Sequence, residues 1–215
     1  MSIKEAYDSW ARRYDLDENL TRDLDRIIME KTLGDSRLDK TIEIGCGTGK
    51  NTLFLSRISR TVHAIDFSEK MIKLAKEQLN CGNITLSVAD ITEKWPYKDQ
   101  SAQFISCNLV LEHIENLSFI FSEAYRILTG KGRFFISELH PFRQYQGKKA
   151  RFVKKDKTFE ISAFVHNISE FINAAINSGF ILTKMNEWHH PEEKHNPPRI
   201  VSFIFEKSGE QVGLL

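Results

Sequence analysis

This 215-residue chain has only three cysteines, at positions 46, 81 and 107. Their number is odd and no two stand in C-x-x-C spacing, which excludes a disulfide framework and fits free thiols in a reducing compartment. Charge of one sign is missing too: 30 Lys and Arg face 29 Asp and Glu, a formal net charge of +1. No global field therefore recruits the chain to nucleic acid or to an anionic membrane. No apolar run approaches the roughly 18 residues of a membrane span, and Met1-Ser2-Ile3-Lys4-Glu5 lacks the apolar core of a secretory signal. Internal repeats and low-complexity tracts are absent. What remains is the expectation of one cytoplasmic domain, 1–215, large enough to bury about 70% of its unfolded surface.

Against those absences stands Thr41-Ile42-Glu43-Ile44-Gly45-Cys46-Gly47-Thr48-Gly49-Lys50, an apolar strand that breaks into a glycine-spaced turn and opens a helix. Glycine at 45, 47 and 49 removes three Cβ atoms, permits positive φ and lets a ligand lie against the main chain. A second short strand, Thr61-Val62-His63-Ala64-Ile65-Asp66, ends on a carboxylate suited to a ribose diol. The spacing is E-x-G-x-G-x-G. It differs from the G-x-G-x-x-G of dinucleotide folds, and Glu43 would repel a pyrophosphate but attract a cationic amino-acid group.

Strand-length apolar runs at 41–45, 61–66, 84–88, 103–108, 132–138, 180–188 and 200–206 alternate with helical periods at 50–58, 68–79, 117–128 and 168–178. Helix 168–178 is expected to open at Ser169 and to end at Asn177-Ser178-Gly179. The connection His189–Pro198 is too short and too proline-bearing for a crossover helix, so the last strand must run antiparallel. The fold expected is a three-layer α/β sandwich: a seven-stranded, mostly parallel sheet with an antiparallel last strand and helices on both faces. Residues 3–13 and 19–33 read as two amphipathic helices without partner strands, an N-terminal cap spanning 1–35.

Five motifs in order resemble the class I S-adenosylmethionine methyltransferases: Glu43 to Gly49, Asp66-Phe67-Ser68-Glu69-Lys70-Met71, Ala89-Asp90-Ile91, Asn108-Leu109-Val110-Leu111-Glu112-His113, and Leu128-Thr129-Gly130-Lys131-Gly132-Arg133. They span roughly residues 40 to 140; beyond that the match is only in hydrophobic pattern. The resemblance implies S-adenosylmethionine as cofactor. It implies that Glu43, Gly45, Cys46, Gly47 and Gly49 serve the amino-acid end and that Asp66 takes the ribose hydroxyls. Phe67 and Met71 would flank the adenine, Asp90 and Ile91 would meet its amine and edge, and Asn108 and Leu109 would lie below the methionine portion. Tyr7 and Tyr14 resemble the N-terminal helix that covers the cofactor in small-molecule members. Ordinary structural roles compete with each assignment: loop-amide acceptor for Asp66, core packing for Phe67 and Met71, helix packing for Tyr14, an inert thiol for Cys46.

Methyl transfer needs alignment first and, for a weak nucleophile, a base. Imidazole titrates near neutrality, which makes His113, His140 and His166 the catalytic candidates, each weighed against a structural histidine bonded to a carbonyl. His189, His190 and His195 form no convincing metal spacing, so no metal is expected. Asn196-Pro197-Pro198-Arg199 lies in the terminal hairpin and carries Arg where base-modifying enzymes stack an aromatic. The insertion 141–166 is read as substrate-side. Between Pro141 and Lys157, Lys148, Lys149, Arg151, Lys154, Lys155 and Lys157 face only Asp156, interleaved with Phe142, Tyr145 and Phe152. As a lid this stretch suits an anionic small molecule; as an ordinary charge run it is a solvated loop.

The expected activity is transfer of a methyl group to oxygen or nitrogen of a small metabolite by a monomer or homodimer. A nicotinamide-dependent oxidoreductase and a non-catalytic S-adenosylmethionine binder are the alternatives.

Overall fold

The computed structural model describes residues 1–154, 156–193 and 196–209, so Lys155 and His195 lie outside the described residues. Strands β1 (Leu38–Ile44), β2 (Ser59–Asp66), β3 (Ile84–Val88), β4 (Ala102–Asn108) and β5 (Leu128–Leu139) run parallel, with one register shift, between Ala102 and Phe104, where β4 meets β5. Strands β6 (Arg151–Lys154) and β7 (Lys157–Glu160) form a separate antiparallel hairpin. Strands β8 (Phe180–Trp188) and β9 (Ile200–Lys207) complete the main sheet in the order β3-β2-β1-β4-β5-β9-β8. The final strand inserts antiparallel between β5 and β8, with Phe134 opposite Phe205 and Ile136 opposite Phe203. The sheet matches the seven strands and the antiparallel last strand expected from the sequence.

Alternation along the strands divides the core into two faces. Phe134 and Ile136 of β5 face one cluster together with Ile42, Ile44, Ile105 and Phe205. That cluster is covered by α5 (Leu117–Ile127) and α7 (Ile168–Asn177) through Ile120, Phe121, Ala124, Phe171 and Ala175. Phe135, between those two residues, points to the opposite face with Val62, Ala64, Phe104 and Ile204. Burying an aromatic or branched aliphatic side chain this fully is worth about 1.5–3 kcal/mol each. The edge-to-face contacts of Phe121 with Phe134 and Phe205, at centroid separations of 5.4 Å, add orientation preference.

The second face is covered by α3 (Lys50–Ile58), α4 (Glu69–Gln78) and α2 (Leu20–Leu33). Here the structure differs from the expected two-helix cap. Leu24, Ile28, Met29 and Leu33 of α2 are buried with Leu55, Phe104 and Phe135, which makes α2 a layer helix. Only α1 (Ile3–Tyr14) is a lid, started by a capping box in which Glu5 N–H bonds Ser2 Oγ and Ser2 N–H bonds Glu5 Oε2. Its Ala6 and Trp10 pack on Phe152 and Ile161 of the insertion, a third and smaller cluster that joins the lid to the β6–β7 hairpin. Helix α7 begins at Ile168 with Asn167 as its N-cap, ahead of the expected opening at Ser169, and Glu170 reaches back to the Asn167 amide at 2.6 Å.

Strand β1 lies between β2 and β4, so the chain leaves it in both directions across the sheet. That reversal opens a crevice beyond the carboxyl ends of Ile44, Asp66 and Asn108.

Candidate active site

At the end of β1 the backbone takes positive φ at Gly45 (72°), Gly47 (54°) and Gly49 (90°). These glycines serve different ends. A Cβ on Gly45 would lie 2.1 Å from Val110 Cγ2, and one on Gly49 2.5 Å from Leu79 Cδ1, so both positions are closed by packing. A Cβ on Gly47 would meet no atom within 4 Å. Gly47 alone therefore leaves its Cβ space open, at the wall of a cleft of about 220 Å³.

That cleft is bounded by Tyr14, Gly45, Gly47, Asp66, Phe67, Met71, Asp90, Ile91, Asn108 and Leu109, which brings together ten of the thirteen cofactor residues expected from the sequence. Tyr14 closes it from α1, together with Tyr7. Glu43, Cys46 and Gly49 are not on its wall. Glu43 is 3% exposed and accepts the Thr52 hydroxyl at 2.5 Å, behind the glycine turn. Cys46 is buried, and burial pushes its thiol up, so it stays protonated.

Asp66 accepts the Gly47 amide at 2.9 Å on Oδ2 and the Ser68 amide at 2.8 Å on Oδ1. Each oxygen keeps a second lone pair, and the side chain lines the cleft. Asp90 is exposed and takes both Thr92 N–H, at 2.9 Å, and Thr92 Oγ1–H, at 2.7 Å. Leu109 sits at φ 56°, held by its own N–H to Ser137 O at 2.8 Å. Glu138 clamps the following turn: one oxygen accepts Val110 N–H at 2.9 Å and Leu111 N–H at 2.8 Å. In sequence Glu138 is only a polar residue in an apolar strand, and its role was not anticipated.

Burial raises Asp25 and Asp66 above the ordinary carboxyl range and pushes Glu43 and Glu138 up to about 8. None of these four acids makes an ion pair among the described residues. Asp25 of α2 accepts Asn51 Nδ2–H at 2.9 Å and Asn108 Nδ2–H at 2.8 Å. Asp15, just past α1, accepts the Thr48 hydroxyl at 2.9 Å, and Asp8 accepts that of Ser68 at 2.6 Å. The lid is thus fixed to the glycine turn and to the loop after β2, while α2 is fixed to the end of β4.

Of the three histidines only His113 reaches the cleft. Its Nδ1 faces the Ser162 carbonyl at 2.9 Å, which places the neutral ring's proton there and leaves Nε2 to accept the Tyr7 hydroxyl at 2.8 Å. His140 does not face the crevice. It caps α6 (Pro141–Tyr145) by accepting Phe142 N–H on Nδ1 and bonds Glu187 through Nε2 at 2.7 Å, so both nitrogens are engaged. His166 is 7% exposed and bonded to Ile114 O at 2.7 Å. Both are structural. Nor is the loop after β8 simply exposed: His190 is buried, and Glu193 lies between Arg143 and Arg199.

Residues 42–136 match the family model described as a methyltransferase domain. That segment is a methyltransferase domain, and the sheet around it has the fold of class I S-adenosylmethionine-dependent methyltransferases. Over 98% of its length the chain is 24% identical to an uncharacterized methyltransferase from Emericella nidulans, covering 87% of that protein. A demethylmenaquinone methyltransferase from Tropheryma whipplei is 30% identical over 117 residues, 53% of this chain and 47% of that one. Among solved structures, the DhpI complex with SAH superposes with a TM-score of 0.74 at 17% identity, covering 95% of this chain and 94% of that one. The donor set fits the class cofactor: an open Gly47, and a carboxylate at Asp66 that lines the cleft. The nicotinamide alternative gives way to the family match and to the inserted antiparallel β9.

A second cavity, of about 650 Å³, adjoins the cleft. Tyr7, Tyr14 and Leu109 belong to both walls. Lid, insertion and the loop after β8 enclose it, through Trp10, Arg22, Lys148, Arg151 and Arg199 among others.

Proposed function

We propose that the protein transfers a methyl group from S-adenosylmethionine in the smaller cleft to an oxygen or nitrogen of a small molecule held in the larger cavity. The observation that carries this reading is the shared wall at Tyr7, Tyr14 and Leu109. It provides two chambers of small-molecule size with one boundary, the arrangement an in-line transfer needs. The quinone methyltransferase among the relatives acts on a small molecule by its name, and a cavity of about 650 Å³ suits such an acceptor.

When bound, the cofactor supplies an activated methyl group. The chain's own residues supply position and a route for the proton. Burial keeps the Tyr7 phenol protonated, so its proton points at His113 Nε2 while its oxygen lone pair is free toward the acceptor. As the acceptor's O–H or N–H proton moves to the Tyr7 oxygen, the Tyr7 proton passes to Nε2, and the Ser162 carbonyl holds the imidazolium formed. The lid excludes water from that path. Gly47 and Asp66 hold the nucleoside, and Glu138 keeps Leu109 and Val110 in place beneath it.

The test is a label-transfer assay with methyl-labelled S-adenosylmethionine and cell metabolites cleared of macromolecules. Label should enter the small-molecule fraction, and Y7F and H113Q should each lower kcat by about a hundredfold or more with product-cofactor affinity unchanged. Label found only in protein or nucleic acid, or no turnover alongside cofactor binding, overturns the reading.

A further inference from the structure

Arg22 is the unusual side chain of the larger cavity. It stands in the first turn of α2 at only 9% exposure, yet no carboxylate lies within ion-pair distance of it among the described residues. Its Nη1 donates to the Tyr14 carbonyl and its Nη2 to the Asp17 carbonyl at 2.7 Å. Its Nε has no hydrogen-bond partner. The guanidinium lies 4.1 Å from the Tyr14 ring centroid and 5.5 Å from that of Trp10. Carbonyl dipoles and ring faces offset part of the desolvation of a cation, but none of them cancels its charge.

The rest of the wall does not supply the missing anion. Arg143 and Arg199 share the single carboxylate of Glu193, at 3.0 Å and 2.5 Å, which leaves that trio with one positive charge. Lys148 and Lys149, exposed on the insertion, make no ion pair among the described residues. The wall holds six Lys and Arg side chains against four Glu, and one of those acids, Glu112, is itself buried. A charge-neutral or cationic occupant would leave the Arg22 guanidinium uncompensated; an anionic one would complete it with charge-assisted hydrogen bonds.

We infer that the methyl acceptor carries an anionic group, a carboxylate or a phosphate, which docks on Arg22 with Lys148 and Lys149 closing over it while the nucleophilic atom faces Tyr7. This rests on the two-chamber reading above and adds the acceptor's chemical class and the side chain that selects it. The tie between the lid and the β6–β7 hairpin, Trp10 stacked on Phe152 at 5.6 Å, keeps Arg22 and the insertion on one enclosure.

The experiment uses the full chain saturated with S-adenosylhomocysteine and titrated calorimetrically with benzoate, phenyl phosphate and their neutral counterparts benzamide and benzyl alcohol. Saturable binding of one or both anions and none of the neutral compounds is expected, and the stronger anion tells carboxylate from phosphate. R22M should weaken the anion about tenfold or more with S-adenosylhomocysteine affinity unchanged. R22K, which keeps the charge and loses the fork, should fall between R22M and the wild type. The exposed double variant K148A/K149A should weaken the anion severalfold, and it decides alone with R22K if R22M does not fold. Equal binding of charged and neutral probes, or unchanged anion affinity in the variants, overturns the inference. So does a loss of S-adenosylhomocysteine binding in R22M, which would place the guanidinium on the cofactor's own carboxylate. Failure of the wild type to bind S-adenosylhomocysteine would overturn the methyltransferase reading itself, and this inference with it.

Discussion

Adding one methyl group at Gly45 or at Gly47 separates what the glycine turn does for folding from what it does for the ligand. In Gly45→Ala the new Cβ would sit 2.1 Å from Val110 Cγ2 and 3.2 Å from Val110 Cβ, at a φ of 72°. Carbon atoms in contact settle at about 3.5–4.0 Å, so Val110 must retreat by roughly 1.5 Å. It cannot do so freely, because Glu138 holds its amide and that of Leu111. Left-handed backbone on a non-glycine residue costs about 1–2 kcal/mol, and overpacking adds about 1–3 kcal/mol. The sum, roughly 2–5 kcal/mol, lowers Tm by about 4–20 °C at this chain length. Gly47→Ala bears only the backbone term, about 1–2 kcal/mol, since its Cβ meets nothing within 4 Å. That Cβ stands instead in the space a ligand would fill. Denaturant unfolding and calorimetry with S-adenosylhomocysteine read the two effects. G45A should lose stability most, whereas G47A should stay folded and bind at least about tenfold more weakly. A G47A protein that binds as tightly as the wild type would refute the placement of the ligand against this turn.

Burial raises Glu138 in the fold to about 8 from an ordinary value near 4.5, so the folded state holds a proton that the unfolded state releases between those limits. The stability of the ligand-free protein should therefore fall as pH rises from about 5 to 8, Glu43 acting in the same sense, and denaturation midpoints of E138Q should fall less steeply. Replacing Asp66 by Ala strands two loop amides and should cost about 1–3 kcal/mol of stability together with most of the affinity for S-adenosylhomocysteine; a variant that loses neither would contradict the site. H140A should lower stability by about 1–2 kcal/mol through the lost α6 cap and the Glu187 contact, while kcat of the folded fraction stays within about twofold of wild type. A large kcat loss there would return His140 to the catalytic group.

What the sequence revealed follows from how local each signal is. The alternation of period-2 and helical runs, and a connection too short for a helix, were enough to place β1 to β5, β8 and the inverted β9. The β6–β7 hairpin escaped because each of its strands carries one aromatic, Phe152 or Phe159, among Arg, Lys, Thr and Glu, which reads as a charged loop. Its partner is the aromatic face of α1, more than 130 residues away. His140 and His166 stand near the strand ends where catalytic groups gather, but Glu187 and the Ile114 carbonyl that occupy them are distant in sequence. Arg22 is indistinguishable in sequence from a solvated helix residue; its burial depends on Trp10 and Tyr14 folding back over it. Periodicity reports which way a side chain points, and it is silent about which remote group meets it there.

Two carboxylates, at positions 8 and 15, fasten the roof to two separate parts of the floor. A nucleoside cannot slide in beneath a roof so held, and these clasps must let go together each time one is exchanged. The larger chamber forms only once they have closed again, because Tyr7, Trp10 and Tyr14 of the same α1 supply part of its wall. That dictates an order of arrival: the methyl donor first, the acceptor second, the methylated product out, and the spent donor last. A non-reactive acceptor analogue should then inhibit competitively toward the acceptor and uncompetitively toward the donor, a pattern that random entry would not produce.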